Sequence, residues 1–326
     1  MPVSIRFVAV DSWEKDILGP PFEALTLPLG SDFEGPAVAT LVRSLAPDSP
    51  AERGAVLYLP GYNDYFFQAH VAEFWNSCGF DFYALDPRKG GRSCQPEQTR
   101  NLCRHISDYF PEIDQAVELI RSAIDGRPLL LSGHSTGGLI TASWLSRRPG
   151  AVDGLFLDGP FFSSPVPHWL QAFLNPVMGF IANVRPRAAF PGTTVSLYAR
   201  GLHAKYGGEW SFDLAWKRTS GTRMRYGWLA GVHKAQRAVR RRGLGVEVPV
   251  LALFGERDIV MDVDVNAALT PRVGRDVTVV RVPEAVHDVF LSSPAIREKA
   301  FSALREWLEG TAFGRGPRVT ETRETS

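Results

Sequence analysis

Short apolar runs alternate along this chain with longer segments in which apolar residues recur every three or four positions. The runs at 55–59, 80–85, 129–132, 155–158, 250–254 and 277–282 are each followed by, or end at, Gly, Pro or Asp. Runs that are apolar at successive positions, rather than alternately, predict strands buried on both faces of a sheet. Two earlier runs, 22–27 and 37–42, are joined by the turn-rich stretch Gly-Ser-Asp-Phe-Glu-Gly-Pro and predict an opening antiparallel pair. The segments 68–77, 111–124, 137–147 and 296–308 carry apolar residues at i, i+3, i+4 and i+7, the signature of amphipathic helices. Strands alternating with such helices predict a mostly parallel central sheet covered on both faces.

The alternation breaks between Phe161 and Arg242. This interval lacks a clear buried strand, is rich in aromatic residues and becomes crowded with Arg and Lys toward its end. It is read as an inserted helical cap at 161–242, dividing a core into 1–160 and 243–313, with a polar, aperiodic and flexible tail at 314–326.

At 326 residues and 44% hydrophobic, the chain is long enough to bury a sizeable core. Its 36 basic and 35 acidic side chains nearly cancel, so no global field favours nucleic acid or an anionic membrane, and a neutral or weakly charged small molecule is the default substrate. Cys78, Cys94 and Cys103 form neither a CxxC pair nor a zinc-ligand pattern, so neither a disulfide framework nor a structural metal is expected. Neither a signal-like leader nor an unbroken membrane-length apolar stretch is evident, and a cytoplasmic location is expected. The sequence is silent on oligomeric state.

Chemistry enters at Gly133-His134-Ser135-Thr136-Gly137, which lies directly after a predicted buried strand and before a predicted helix. A serine in that turn is held in a strained backbone conformation, and side chains two residues to either side would collide, so Gly133 and Gly137 answer a steric demand. Ser135 is the predicted nucleophile. The helix starting after it aims free amides at the same point, making the Thr136 N–H an oxyanion donor.

A serine hydroxyl needs a base, and the base needs a carboxylate to hold its tautomer. His287 lies in a short loop after the predicted 277–282 strand and is the predicted base; Asp258, in the turn after the 250–254 strand, is the predicted acid. The order Ser, Asp, His is the one this strand–elbow–helix arrangement uses. Glu256 competes with Asp258 but is expected to point away or pair with Arg257, while Asp262 and Asp264 are suited to capping a helix. His134 is expected to diverge from Ser135 and pack. The remaining histidines are expected to be structural or on the surface. After the 55–59 strand, Pro60-Gly61-Tyr62 permits a turn that aims the Tyr62 amide inward as the second oxyanion donor.

Four blocks carry a family resemblance: Leu59-Pro60-Gly61-Tyr62, Asp86-Pro87-Arg88-Lys89-Gly90-Gly91-Arg92-Ser93, Gly133 to Gly138, and the Asp258 and His287 loops. Together they make the chain resemble the monoglyceride lipase, lysophospholipase and serine-aminopeptidase-like branch of the α/β hydrolases. Lys89 stands where that family's Asp-x-Arg-Gly-x-Gly-x-Ser turn usually has glycine, and Pro60 where such lipases usually carry histidine. The resemblance implies an α/β-hydrolase fold and cofactor-free hydrolysis of a small acyl ester, such as a monoacylglycerol or lysophospholipid. Amide, thioester or carbon–carbon cleavage by the same triad is the alternative, followed by a non-catalytic ligand-binding protein. The aromatic surplus of the cap suits an acyl pocket or plain packing, and Arg237, Arg240, Arg241 and Arg242 read as a solvated helix face rather than a head-group site.

Overall fold

A computed structural model of the chain describes residues 12–47, 53–166, 168–311 and 313, the side chains at 168, 169 and 172 excepted. The tail at 314–326 lies outside the described residues.

The strands are β1 (Glu14–Lys15), β2 (Glu23–Asp32), β3 (Gly35–Ser44), β4 (Gly54–Leu59), β5 (Phe80–Asp86), β6 (Leu129–His134), β7 (Gly154–Asp158), β8 (Thr194–Val195), β9 (Ser220–Thr222), β10 (Val250–Gly255) and β11 (Val277–Val282). Nine of them form one sheet in the order β1-β2-β3-β5-β4-β6-β7-β10-β11, while β8 and β9 pair separately. The β2–β3 hairpin is antiparallel, as its short turn-rich connection predicts, and β3 also runs antiparallel to β5. From β5 onward every pairing is parallel. This is the doubly covered, mostly parallel sheet expected from the apolar runs.

The central strands are buried on both faces because two separate cores flank them. Ala55, Leu57 and Leu59 of β4 and Leu129 and Leu131 of β6 point into one core, which also holds Ile113, Ala116 and Ile120. Val56 and Tyr58 of β4 and Leu130 of β6 point into the other, with Trp75, Phe82 and Phe301. Each fully buried Leu, Val or Phe contributes about 1.5–3 kcal/mol. One strand departs from expectation. Predicted as buried, β11 is half-exposed along most of its length, because it is the sheet's edge and pairs only with β10.

The helices are α1 (Ala69–Ser77), α2 (Phe110–Ala123), α3 (Thr136–Leu145), α4 (His168–Val184), α5 (Leu197–Leu202), α6 (Tyr226–Arg242), α7 (Val263–Leu269) and α8 (Pro294–Gly310). In α2, proline in the first turn suits a position whose N–H has no intrahelical partner, and Ile113, Ala116, Val117 and Ile120 form the buried stripe. Contrary to the amphipathic pattern read at 137–147, the helix α3 has no exposed polar face. All its residues except Ser143 are buried, because it is held between the sheet and α6. The segment between β7 and β10 contains α4, α5, β8, β9 and α6 and no strand of the central sheet.

Lys89 has a positive φ of 61°, which explains why glycine is the usual residue of that turn. Here the lysine is retained by ion pairs from its Nζ to Asp32 at 2.6 Å and Glu34 at 2.9 Å.

Candidate active site

Ser135 sits at the junction of β6 and α3 with φ 53° and ψ −119°, a combination that costs a non-glycine residue energy. Its neighbours hold it there. The Ser135 N–H donates to the Asp158 carbonyl at 2.9 Å, and the Ser135 carbonyl accepts from the N–H groups of Gly138 and Phe161, each at 3.0 Å. The turn is as tight as its glycines imply: a Cβ on Gly133 would lie 2.7 Å from the Gly137 backbone, and one on Gly137 would run into the carbonyls of Leu59 and Pro60. Thr136 is the first residue of α3, so its N–H has no carbonyl four residues earlier within the helix.

The other predicted site residues come from three loops at the carboxyl ends of neighbouring strands. Asp258, after β10, and His287, after β11, meet with His287 Nδ1 2.6 Å from Asp258 Oδ2. The second Asp258 oxygen accepts from the N–H groups of Val260 and Met261, fixing the carboxylate. Burial is the largest influence and raises its pKa, but the bond and charge of His287 together with the Val260 and Met261 N–H groups outweigh it and leave Asp258 below the ordinary carboxylate value. For His287, burial is the largest influence and pushes the pKa below 6.5; the bond to Asp258 opposes this and the nearby His134 charge adds to it. After β4, Gly61 closes against the nucleophile, since a Cβ there would lie 3.1 Å from the Ser135 Cβ. Tyr62 follows it, with its ring against Trp228 of α6 at a centroid distance of 4.1 Å.

The competing carboxylates go elsewhere. Arg257 pairs with Glu284, not with Glu256. Asp262 caps α7 by accepting from the Val265 N–H, and Asp264 pairs with Arg281.

His134 requires a correction, because its partner is ionic. It faces Asp158 across the β6–β7 register, and its Nδ1 lies 3.1 Å from Asp158 Oδ2. Behind the pair is Asp288, whose carboxylate accepts from the Gln68 amide and the Phe290 N–H, both at 3.1 Å. All three groups are buried. Burial first, and then the Asp288 charge, push Asp158 up to about 7, whereas His134, despite burial, is held up at about 9 by Asp288 and Asp158. The two carboxyls are thus driven in opposite directions, Asp158 toward its protonated form and Asp288 toward its ionised one. The ligand atoms of this trio lie within 4.8 Å of one another, but their hydrogen bonds are spent inside the protein, which makes the cluster a charged hydrogen-bond network rather than a set of waiting metal ligands. Sequence reasoning missed it because Asp158 and Asp288 have no local motif.

Two contacts tie the segment between β7 and β10 to this centre. The Tyr198 hydroxyl accepts from the Asp288 N–H at 3.0 Å while its ring meets His287 edge-on at 5.5 Å. Lys217 donates to Asp64, two residues beyond Tyr62, at 2.7 Å; both side chains are buried. The aromatic residues of this segment divide in their roles. Phe162, Phe212 and Trp228 are buried as packing, but Phe173 and Phe180 on α4 are 74% and 69% exposed. The side chain of Trp169 is outside those described. Among the described residues, no helix is long and apolar enough to cross a membrane.

A nine-stranded, mostly parallel sheet with a strained serine at a strand–helix elbow and a His–Asp pair on adjacent strand ends is the arrangement of an α/β hydrolase. The chain belongs to the family described as serine aminopeptidase S33, whose model matches residues 50–294. It is 25% identical over 265 residues to a monoacylglycerol lipase of Mycolicibacterium smegmatis, covering 79% of this chain and 89% of that one. Similar solved structures include a Paleococcus ferrophilus monoacylglycerol lipase, with TM-score 0.63, 21% identity and coverage of 83% of this chain and 98% of that one. A soluble variant of monoglyceride lipase from Saccharomyces cerevisiae, in complex with a substrate analogue, matches with TM-score 0.67 and 17% identity over 87% of this chain and 94% of the other. Fold and family thus make this chain a hydrolase.

Proposed function

We propose that the chain hydrolyses carboxylic esters of the monoacylglycerol or lysophospholipid kind through an acyl-enzyme on Ser135. The observation that carries this reading is the Ser135 elbow, combined with a His287 that is buried, biased toward its neutral form and fixed by Asp258 at 2.6 Å. The monoacylglycerol lipases similar to this chain support the choice of ester.

In this mechanism the Ser135 hydroxyl attacks the ester carbonyl carbon while His287 takes its proton through Nε2, the nitrogen not bonded to Asp258. The negative charge that gathers on the carbonyl oxygen is met by the N–H groups of Tyr62 and Thr136. Collapse breaks the carbon–oxygen bond, His287 returns the proton to the departing alcohol, and the acyl group remains on Ser135. Water then attacks the acyl carbon with His287 again as base, releasing the carboxylic acid and restoring the serine. Asp258 holds the Nδ1–H tautomer throughout. Residues 161–242 serve as the cap over the acyl group.

A fluorophosphonate probe should label the protein and leave Ser135→Ala unlabelled, and that variant should lose about 10⁴- to 10⁶-fold in ester turnover. Equal labelling of the two proteins, or none of the wild type, would overturn the reading. The family's description as serine aminopeptidase favours one second reading, amide cleavage by the same residues. Faster turnover of aminoacyl arylamides than of p-nitrophenyl esters would select it.

A further inference from the structure

Beside the oxyanion loop lies a pocket of about 500 Å³ whose inner wall includes Tyr62. Its charged lining is Arg100, Arg218, Arg223 and Arg225, with no Asp or Glu. Arg225 donates to the Arg187 carbonyl at 2.7 Å, whereas some arginines elsewhere have carboxylate partners, such as Arg43 with Glu23, Arg88 with Glu112, and Arg92 with Asp16 and Asp86. Among the described residues, no carboxylate lies within ion-pair distance of the four in the pocket. Four like charges around one concavity repel each other, a cost that an anion placed between them removes. Guanidinium groups suit this role because each presents paired N–H donors to two oxygens of a phosphate or carboxylate.

The pocket is fixed to the candidate site. Asn63, directly after Tyr62, donates from its amide to the Arg218 carbonyl at 2.8 Å and accepts from the Arg218 N–H at 3.3 Å. The next residue pair, Asp64 and Lys217, forms the buried salt bridge, so the strand of chain bearing Arg218 is clamped along the loop that faces Ser135. The Arg225 guanidinium lies near enough to the Tyr62 hydroxyl to oppose its burial-driven rise to about 12. A larger basic groove along α6, with Arg147, Lys234, Arg237 and Arg241, has no lining residue from the candidate triad or oxyanion loop.

We propose that this arginine pocket binds an anionic group, a phosphate monoester or a carboxylate, carried by the ester that Ser135 cleaves. The inference rests on the reading of Ser135 as nucleophile and narrows its substrates to esters with such a group close to the scissile bond. The near-neutral balance of the whole chain conceals this local field.

Two measurements separate the pocket from the catalysis. In the first, glycerol 3-phosphate, glycerol and inorganic phosphate are titrated calorimetrically into Ser135→Ala protein and into the same protein with Arg218→Gln and Arg223→Gln added. Both side chains are exposed, so their replacement leaves the fold in place. Glycerol 3-phosphate should bind where glycerol does not, and weaken by about tenfold or more per arginine, the effect of losing one charge-assisted hydrogen bond. In the second, kcat/KM is compared for 1-butyryl-glycerol 3-phosphate and 1-butyryl-glycerol. The wild type should favour the phosphate ester by at least about tenfold, and the double arginine variant should bring the ratio close to one. A wild-type ratio near one, or equal binding of glycerol and glycerol 3-phosphate, overturns the proposal. So does inorganic phosphate binding with an unchanged turnover ratio, which would make the pocket a site for a free anion. If neither ester is cleaved while glycerol 3-phosphate still binds through Arg218 and Arg223, ester hydrolysis has failed and the anion pocket has not.

Discussion

Replacing Lys217 by Met tests whether the loop beside the nucleophile depends on a buried charge from the segment between β7 and β10. The substitution keeps most of the side chain's volume but removes the ammonium 2.7 Å from Asp64, whose side chain is only 5% exposed. Asp64 would then keep the hydrogen bond from the Tyr65 N–H. Breaking a buried pair from one side costs about 3–5 kcal/mol, because the remaining charge is both unpaired and unhydrated. Unfolding entropy near 2.1 cal/mol/K per residue gives about 0.7 kcal/mol/K for a chain of this length, so Tm should fall by about 4–7 °C. The assay is a double-mutant cycle with Asp64→Asn, read by calorimetry and urea unfolding. The double variant should recover part of the loss, with a coupling of about 2 kcal/mol. A Lys217→Met protein within about 0.5 kcal/mol of wild type, with no coupling to Asp64, would refute the reasoning by showing that water reaches the carboxylate.

Two further outcomes follow from the site. Because burial holds the His287 pKa below 6.5, its neutral, proton-accepting form persists below the pH at which an exposed imidazole becomes charged. The pH profile of kcat/KM should rise through an inflection below 6.5 and be level by neutrality; an inflection above 7 contradicts the assignment. Gly133→Ala places a Cβ 2.7 Å from the Gly137 backbone, where neither side can rotate away. It should cost about 3 kcal/mol in urea unfolding together with most of the activity, and wild-type values for both would mean that the elbow is looser than its geometry.

The parts of the fold that could be read directly were those with local causes. Apolar positions in succession mark strands buried on two sides, so β4 to β7 and β10 were recognisable, and turn chemistry marked the β2–β3 hairpin. The same logic overreached at β11, since a Val-rich run looks alike at the centre and at the edge of a sheet. It also misjudged α3, since no pattern along one helix reveals that another helix covers its outer side. For the candidate site, a strand, an elbow and a helix in immediate succession pointed to Ser135, while chain order pointed to Asp258 and His287.

What the sequence determined by itself was therefore the set of elements and the chemistry that short spacing enforces: the strained serine, the glycines crowding it, and a histidine and a carboxylate on successive strand ends. Tertiary structure decided the electrostatics. Register between β6 and β7 brings His134 onto Asp158, a distant loop adds Asp288, Lys217 reaches Asp64 from far along the chain, and two separate segments gather Arg100 with Arg218, Arg223 and Arg225 into one pocket. Net charge sums over the chain and periodicity reads only neighbours, whereas the field at a site depends on distances in space, which only the packed sheet and its connections set.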